Sequence, residues 1–379
     1  MTSILAAPVR RRTVLASALA LAAPLQAQPA RAAPGGRPLM IAQIVDASAQ
    51  HQDVSKDFLI GSRAAWQDIN SSGGVHGRPL QHVAIETDGT LPGLQAALAA
   101  VRGNAACVAL AGTAGDAVAS GLVRLLRQEN FAIAHCAPWL QDSSIEVDDR
   151  TFPIFAARQE QIAHALKSLS LLGVKEIGAV HASEQDYRLY QDDLQRIGVQ
   201  LQLKLQTFRA DGELLRLGQK LTPQTPAILL FIGGTPELAQ FTQGLERQTR
   251  QRYVVALADV NLQTMVQMGA GRNTPVIATQ PVPMVNANLP VVHAYRETMG
   301  RLFDEPPTPL SLAGFIAARY TFQVLSGIDG APTRQGVLAA FQKRAALDVG
   351  GFRVAYDARR RGGTFVTQSM LTADGRLVG

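Results

Sequence analysis

Short apolar runs alternate with amphipathic stretches along most of this chain, and that alternation limits its fold more than any other feature. Leu39–Val45, Leu80–Glu86, Ala106–Ala111 and Phe131–His135 read as buried strands. Between them lie helical segments. The first has an apolar face of Phe58, Ser62, Ala65, Trp66 and Ile69 and stops at Gly73-Gly74; Leu94–Arg102 and Asp116–Glu129 follow. The order continues with helices at 159–172, 187–196, 212–221 and 235–249, and with strands at Ile177–His181, Leu201–Thr207, Ile228–Ile232 and Tyr253–Leu257. Strands linked through helices by short loops form parallel sheets covered on both faces. There are too many for one open sheet, so the expected fold is α/β with two lobes, each around its own core.

Beyond residue 257 the pattern changes. Residues 273–291 are rich in Pro and Asn and poor in helix signals, which suits a crossover between lobes. Helical segments follow at 291–303, 311–327 and 333–346. Phe352–Tyr356 and Thr364–Leu371 then read as two strands joined by a solvated turn at Arg359-Arg360-Arg361-Gly362-Gly363.

The formal charge of +6 is misleading. Residues 1–36 carry Arg10, Arg11, Arg12 and Arg31 and no acid, leaving 32 basic residues against 30 acidic ones in the rest of the 379-residue chain. A nearly neutral body gives no electrostatic footprint for nucleic acid or for an anionic membrane surface. The basic start precedes an apolar run, Val14–Ala23, about half the ~20 residues that a spanning helix needs. Ala30-Arg31-Ala32 then matches a small-residue cleavage site. Residues 1–32 are therefore read as a signal peptide, cleaved near Ala32, whose Arg-Arg-x-Val-Leu order resembles a twin-arginine export signal. The mature protein is expected in the periplasm. With only Cys107 and Cys136 there is no disulfide framework. If their strands are parallel neighbours, the two lie about 16 Å apart along the strand axis; a disulfide needs Cα atoms within about 7 Å. Two buried free thiols are expected.

The chemistry-bearing residues do not assemble into an enzyme signature. There is no nucleophile elbow, phosphate-binding loop, dinucleotide fingerprint or zinc-protease motif, and the seven histidines have no metal-ligand spacing. No cofactor and no metal is expected. The informative loops are those after strands, because ligands of open α/β sheets bind at the carboxyl ends of the strands. Gly112-Thr113-Ala114-Gly115-Asp116 opens a helix, where Asp116 is either a helix cap or a ligand contact. Ala137-Pro138-Trp139 follows the next strand, and Trp139 either walls a small ligand or covers the sheet edge. The corresponding positions in the second half are Glu184–Tyr187, Gly233-Gly234-Thr235 and Asp259.

Gly61, Asp68-Ile69-Asn70, Gly73-Gly74-Val75-His76-Gly77-Arg78-Pro79, Asp88, the Gly112 loop, Phe155, Tyr187, Gly233-Gly234 and a Pro-rich return near 281 together resemble the leucine/isoleucine/valine-binding family. These are the type I periplasmic solute-binding proteins of ABC transporters, and the likeness runs over about residues 39–371. It implies two doubly wound lobes joined by three crossovers, with one solute in the cleft between them. Lobe 1 would hold 37–157 and 283–346, and lobe 2 would hold 158–282 and 347–379. Carried over by position, the ligand-facing residues are Thr113, Asp116, Ala137, Trp139, Tyr187, Thr235 and Asp259. In the amino-acid binders that this chain resembles, the positions of Asp116 and Trp139 are usually Ser and Thr, whose hydroxyls hold the ligand's carboxylate. An acid at 116 would repel a carboxylate. Asp259 matches an acidic position that pairs with the ligand's ammonium. Two acids with Trp139 and Tyr187 suit a cationic or amine-bearing solute.

The expected function is an exported, monomeric substrate-binding protein that hands a small polar solute, an amino acid or amine-like compound, to an ABC permease. A periplasmic sensor of the same fold, reporting to a membrane receptor, is the alternative. A secreted α/β enzyme is the third reading, disfavoured because no nucleophile–base arrangement is present.

Overall fold

The computed structural model describes residues 39–210, 212–271, 273–372 and 377–378. The signal segment lies outside them. The described chain opens with β1 (Leu39–Asp46), α1 (Gln52–Ser71), β2 (Leu80–Thr87), α2 (Leu91–Gly103), β3 (Cys107–Ala111), α3 (Asp116–Gln128), β4 (Ala134–Cys136) and β5 (Thr151–Phe152). These five strands form one parallel sheet in the order β2-β1-β3-β4-β5. β1 shows why the run Leu39–Val45 is apolar but for Gln43, whose buried amide is satisfied by Ser62, Gly112 O and His82. Leu39, Ile41 and Val45 enter one core, while Met40, Ala42 and Ile44 enter another on the opposite face. A strand covered on both faces has no polar side.

The chain crosses at 153–157 into the second lobe: α4 (Arg158–Leu171), β6 (Glu176–His181), α5 (Glu184–Gln200), β7 (Lys204–Arg209), α6 (Leu214–Lys220), β8 (Ile228–Ile232), α7 (Thr235–Leu245), β9 (Tyr253–Ala256), α8 (Leu262–Gln267) and β10 (Val276–Gln280). It returns to the first lobe with α9 (Pro290–Leu302), α10 (Pro309–Ser326), α11 (Arg334–Gln342) and the hairpin β11 (Leu347–Val349) and β12 (Phe352–Val354). A third passage brings β13 (Thr367–Leu371) and β14 (Leu377–Val378) to the second sheet, whose order is β14-β13-β10-β9-β8-β6-β7. The same two-faced logic holds here: Leu229 and Phe231 of β8 pack on one side, Leu230 and Ile232 on the other. Both lobes are therefore doubly wound, with three crossovers between them. The passages touch: the Gly362 N–H donates to Pro153 O at 2.9 Å, and the Thr367 hydroxyl to Val282 O at 2.7 Å.

Helix α1 carries the apolar face expected of it, and α10 lies across it backbone to backbone. A Cβ on Gly61 would sit 1.6 Å from Ser311 O, and one on Gly314 would sit 1.9 Å from Phe58 O. Only glycine permits that approach.

Four expectations need correction. β10 lies inside the stretch 273–291 that reads as crossover alone, and the Pro-rich return starts only after it. Phe352 and its neighbours pair with Leu347–Val349, not with the strand near 367, which instead runs antiparallel to β10. Val349, Phe352 and Val354 belong to the first lobe's core, so the second lobe does not begin at 347. The stretch 359–363 is a solvated turn only at Arg359 and Arg360: Arg361 is 6% exposed and donates to the carbonyls of Leu140, Asp142 and Ile145. Cys107 and Cys136 are free and buried; Cys136 lies opposite Ala111, four residues along the strand from Cys107.

Candidate functional site

The carboxyl ends of both sheets open on the seam between the lobes. On the first lobe, β3 leads through Gly112 and Gly115, both at positive φ, into Asp116 at the start of α3. A side chain on Gly115 would strike Asp46, with Cβ only 2.5 Å from Asp46 Cβ. On the second lobe, β6 is followed by Ser183, whose hydroxyl oxygen caps α5 by accepting from the Asp186 N–H at 3.1 Å. β8 ends at Gly233-Gly234 ahead of α7, and β9 is followed by Asp259. The first crossover delivers Arg158 at the start of α4. These residues enclose a cavity of 380 Å³.

Arg158 organises it. Its Nη1 donates to Asp116 Oδ2 at 2.9 Å across the seam, and its Nε donates to Asp259 Oδ2 at 2.7 Å. Nη1 also reaches the Tyr190 hydroxyl. All three charged side chains are at most 13% exposed. The other oxygen of Asp116 accepts from the backbone N–H groups of Gln141 (2.7 Å) and Asp142 (2.9 Å). Burial raises the Asp116 carboxyl, and Arg158 opposes it. Burial works against the Arg158 charge too, but the two carboxylates outweigh that, and its pKa rises. Burial also raises the Tyr190 phenol.

The sequence-derived residues divide sharply. Asp116 and Asp259 line the cavity, yet both are engaged by Arg158 rather than open to an amine. Thr113 is fully buried below it, its Oγ1 2.8 Å from His135 Nε2. Burial lowers that histidine to about 4. Ala137 is buried at φ 46°, turning the chain after β4. Trp139 is not a cleft wall: it is 1% exposed and packs edge-on to Phe58, ring centroids 5.7 Å apart, and against Phe155 at 5.5 Å. Tyr187 does not line the cavity; it lies edge-on to His181 and under the Arg209 guanidinium. Three residues on, Tyr190 is buried in the second lobe's core, where its hydroxyl meets Arg158. Thr235 is 1% exposed and ties the lobes together: its hydroxyl donates to Asp53 Oδ2 at 2.7 Å and accepts from the Asn261 N–H at 2.9 Å. The Asn261 amide donates in turn to Asp57 Oδ2 at 3.1 Å. Burial raises both Asp53 and Asp57.

Arg158, Tyr190 and Glu237 were not legible as site residues in the sequence, and Asp186 fell inside the loop Glu184–Tyr187 without being singled out. A larger cavity, 580 Å³, lies by Asp53, Asp57 and Lys56, but contains none of Asp116, Arg158 and Asp259. Among the described residues, no group of three or more His, Cys, Asp or Glu side chains is placed to hold a metal ion, and no helix is long and apolar enough to cross a membrane.

A family model described as periplasmic binding protein matches residues 38–373. The chain belongs to the periplasmic binding protein family. This family and its structural neighbours comprise substrate-binding proteins rather than enzymes. No curated protein matches the sequence. Among solved structures, an extracellular ligand-binding receptor from Verminephrobacter eiseniae is similar to this periplasmic binding protein with a TM-score of 0.81 and 16% identity, covering 90% of this chain and 100% of that one. A branched-chain amino acid transporter substrate-binding protein from Streptococcus pneumoniae, in complex with isoleucine, gives 0.74 at 13% identity, with 90% and 98% covered. A fatty acid ABC transporter substrate-binding protein from Thermomonospora curvata gives 0.77 at 13%, with 90% and 91% covered. Such identities establish the common fold; one of these relatives holds isoleucine and another serves a fatty acid transporter.

Proposed function

We propose that this periplasmic binding protein is the exported substrate-binding component of an ABC importer, which captures one small polar solute between its lobes and presents it to a membrane permease. The observation that carries this reading is the 380 Å³ cavity at the strand ends of both sheets, lined by charged groups from each lobe. A solute held there contacts both lobes at once and stabilises their closed arrangement. The seam contacts of Thr235 and Asn261 supply part of that closure from the protein itself. The basic-then-apolar start of the sequence supports export, with a mature monomer beginning near Ala33.

The test is a thermal-shift screen on the mature chain, unfolded and refolded to strip carried-over solute. Branched-chain, polar and basic amino acids, amines, betaines and carboxylates form the set. A solute at a hundred times its dissociation constant adds about 2.7 kcal/mol, which raises the midpoint by several degrees. Turnover of the bound solute would refute the binding-protein reading.

A further inference from the structure

We infer that the solute is an organic cation, bearing a primary amine or guanidinium, and that Asp186 and Glu237 of the second lobe pair with it in place of Asp116 and Asp259. This deepens the solute-capture reading and rests on it. The two acids that the sequence singles out each give an oxygen to Arg158, so the protein's own guanidinium fills the seat that an ammonium would take. The cavity retains an excess of negative charge nonetheless. Five carboxylates line it, Asp116, Asp142, Asp186, Glu237 and Asp259, against the guanidinium groups of Arg124 and Arg158.

Asp186 and Glu237 are the acids left over. Each is the third residue of its helix, in α5 and α7. Asp186 Oδ2 accepts from the Ser183 hydroxyl at 2.6 Å, and among the described residues neither acid makes an ion pair. A helix N-terminus tolerates a carboxylate at that position, so capping alone accounts for the residue type. It does not account for both acids lining one cavity in which five carboxylates face two guanidinium groups. A separate observation points to an occupant: Ser120, one turn after Asp116 on α3 and 5% exposed, lines the same cavity with its Oγ unpartnered. Burial raises the Asp186 carboxyl, and the Ser183 hydroxyl and the Arg158 charge only partly oppose that rise. A carboxylate solute would enter against the excess charge; an amine would balance it and gain charge-assisted hydrogen bonds.

Calorimetric titration of the refolded chain with putrescine, arginine, leucine and glutarate decides the matter, using wild type, Asp186→Asn, Glu237→Gln and the double variant. Putrescine or arginine should bind one-to-one and more weakly at high salt, with each single substitution lowering affinity at least tenfold. Circular dichroism should show the variants folded. Leucine or glutarate binding tighter than both cations would overturn the charge assignment while leaving solute capture intact. Cation binding undiminished in the double variant would make Asp186 and Glu237 capping residues only, which also overturns it. Silence from all four probes would do so too, and solute capture would then be judged by the wider thermal screen.

Discussion

The Thr235 hydroxyl donates to Asp53 Oδ2 at 2.7 Å, joining the first residue of a second-lobe helix to the first turn of α1 in the other lobe. The direction of this bond follows from the partner, because an ionised carboxylate oxygen only accepts, while the Thr235 oxygen itself accepts from the Asn261 N–H. The proton therefore has one place to go. Removing it with Thr235→Val leaves Asp53 half-buried and short of a donor at the seam. Such a bond to a charged group contributes about 1.5–3 kcal/mol. We expect the variant to bind its solute roughly tenfold or more weakly, and small-angle scattering to show a larger radius of gyration without solute. An unchanged radius and affinity would show that the contact does not hold the lobes together.

Arg158 has a different weight. Its removal strands two buried carboxylates, and breaking a buried ion pair costs about 3–5 kcal/mol. Arg158→Leu should lower the denaturation midpoint strongly. Adding Asp116→Asn and Asp259→Asn should restore much of the loss, because the uncompensated charge is then gone. A triple variant no more stable than Arg158→Leu would contradict this account of the triad.

Trp139 separates packing from binding. Trp139→Ala leaves a cavity among Phe58 and Phe155 and should cost about 3–5 kcal/mol by denaturant unfolding. Solute affinity, measured where the variant remains folded, should stay within a few-fold of wild type. A large loss of affinity with little loss of stability would return Trp139 to the cleft.

The acid limb of stability should carry the mark of His135. Burial lowers its pKa from 6.5 to about 4, so the folded state resists the proton that the unfolded state accepts. Its contribution is fully present above 6.5 and is lost as pH falls towards 4. At pH 5 that loss is about 2 kcal/mol. His135→Gln should flatten the fall between pH 6.5 and 4; an unaltered slope would place the pH dependence elsewhere.

Much of the fold could be read from the sequence because β1, β3 and β8 are buried on both faces and so are almost wholly apolar, with Gln43 and Asp46 the exceptions in β1. The exceptions are short or interrupted. β5 has two residues and α8 has six, too few to establish a period. β10 sits within a Pro- and Asn-rich stretch whose composition belongs to the crossover after it. The site was legible as a place but not as a set of side chains. The strand-end rule led to Asp116 and Asp259, and these do line the cavity. It had no means of showing that Arg158, 42 residues beyond Asp116 in sequence, folds back to occupy both. Tyr187 and Tyr190 lie three residues apart on α5, and only the placement of the helix decides which faces inward. Trp139 follows a strand like a ligand-facing residue, yet the aromatic cluster beneath draws it into the core.

Capture of a solute with closure of the lobes is the central claim, and small-angle scattering of the refolded chain tests it most directly. The solute giving the largest thermal shift would be added at saturation. The predicted result is a smaller radius of gyration at one solute per chain, with that shrinkage larger in Thr235→Val, whose solute-free form is the more open. Stoichiometric binding with an unchanged scattering curve in both proteins would contradict it.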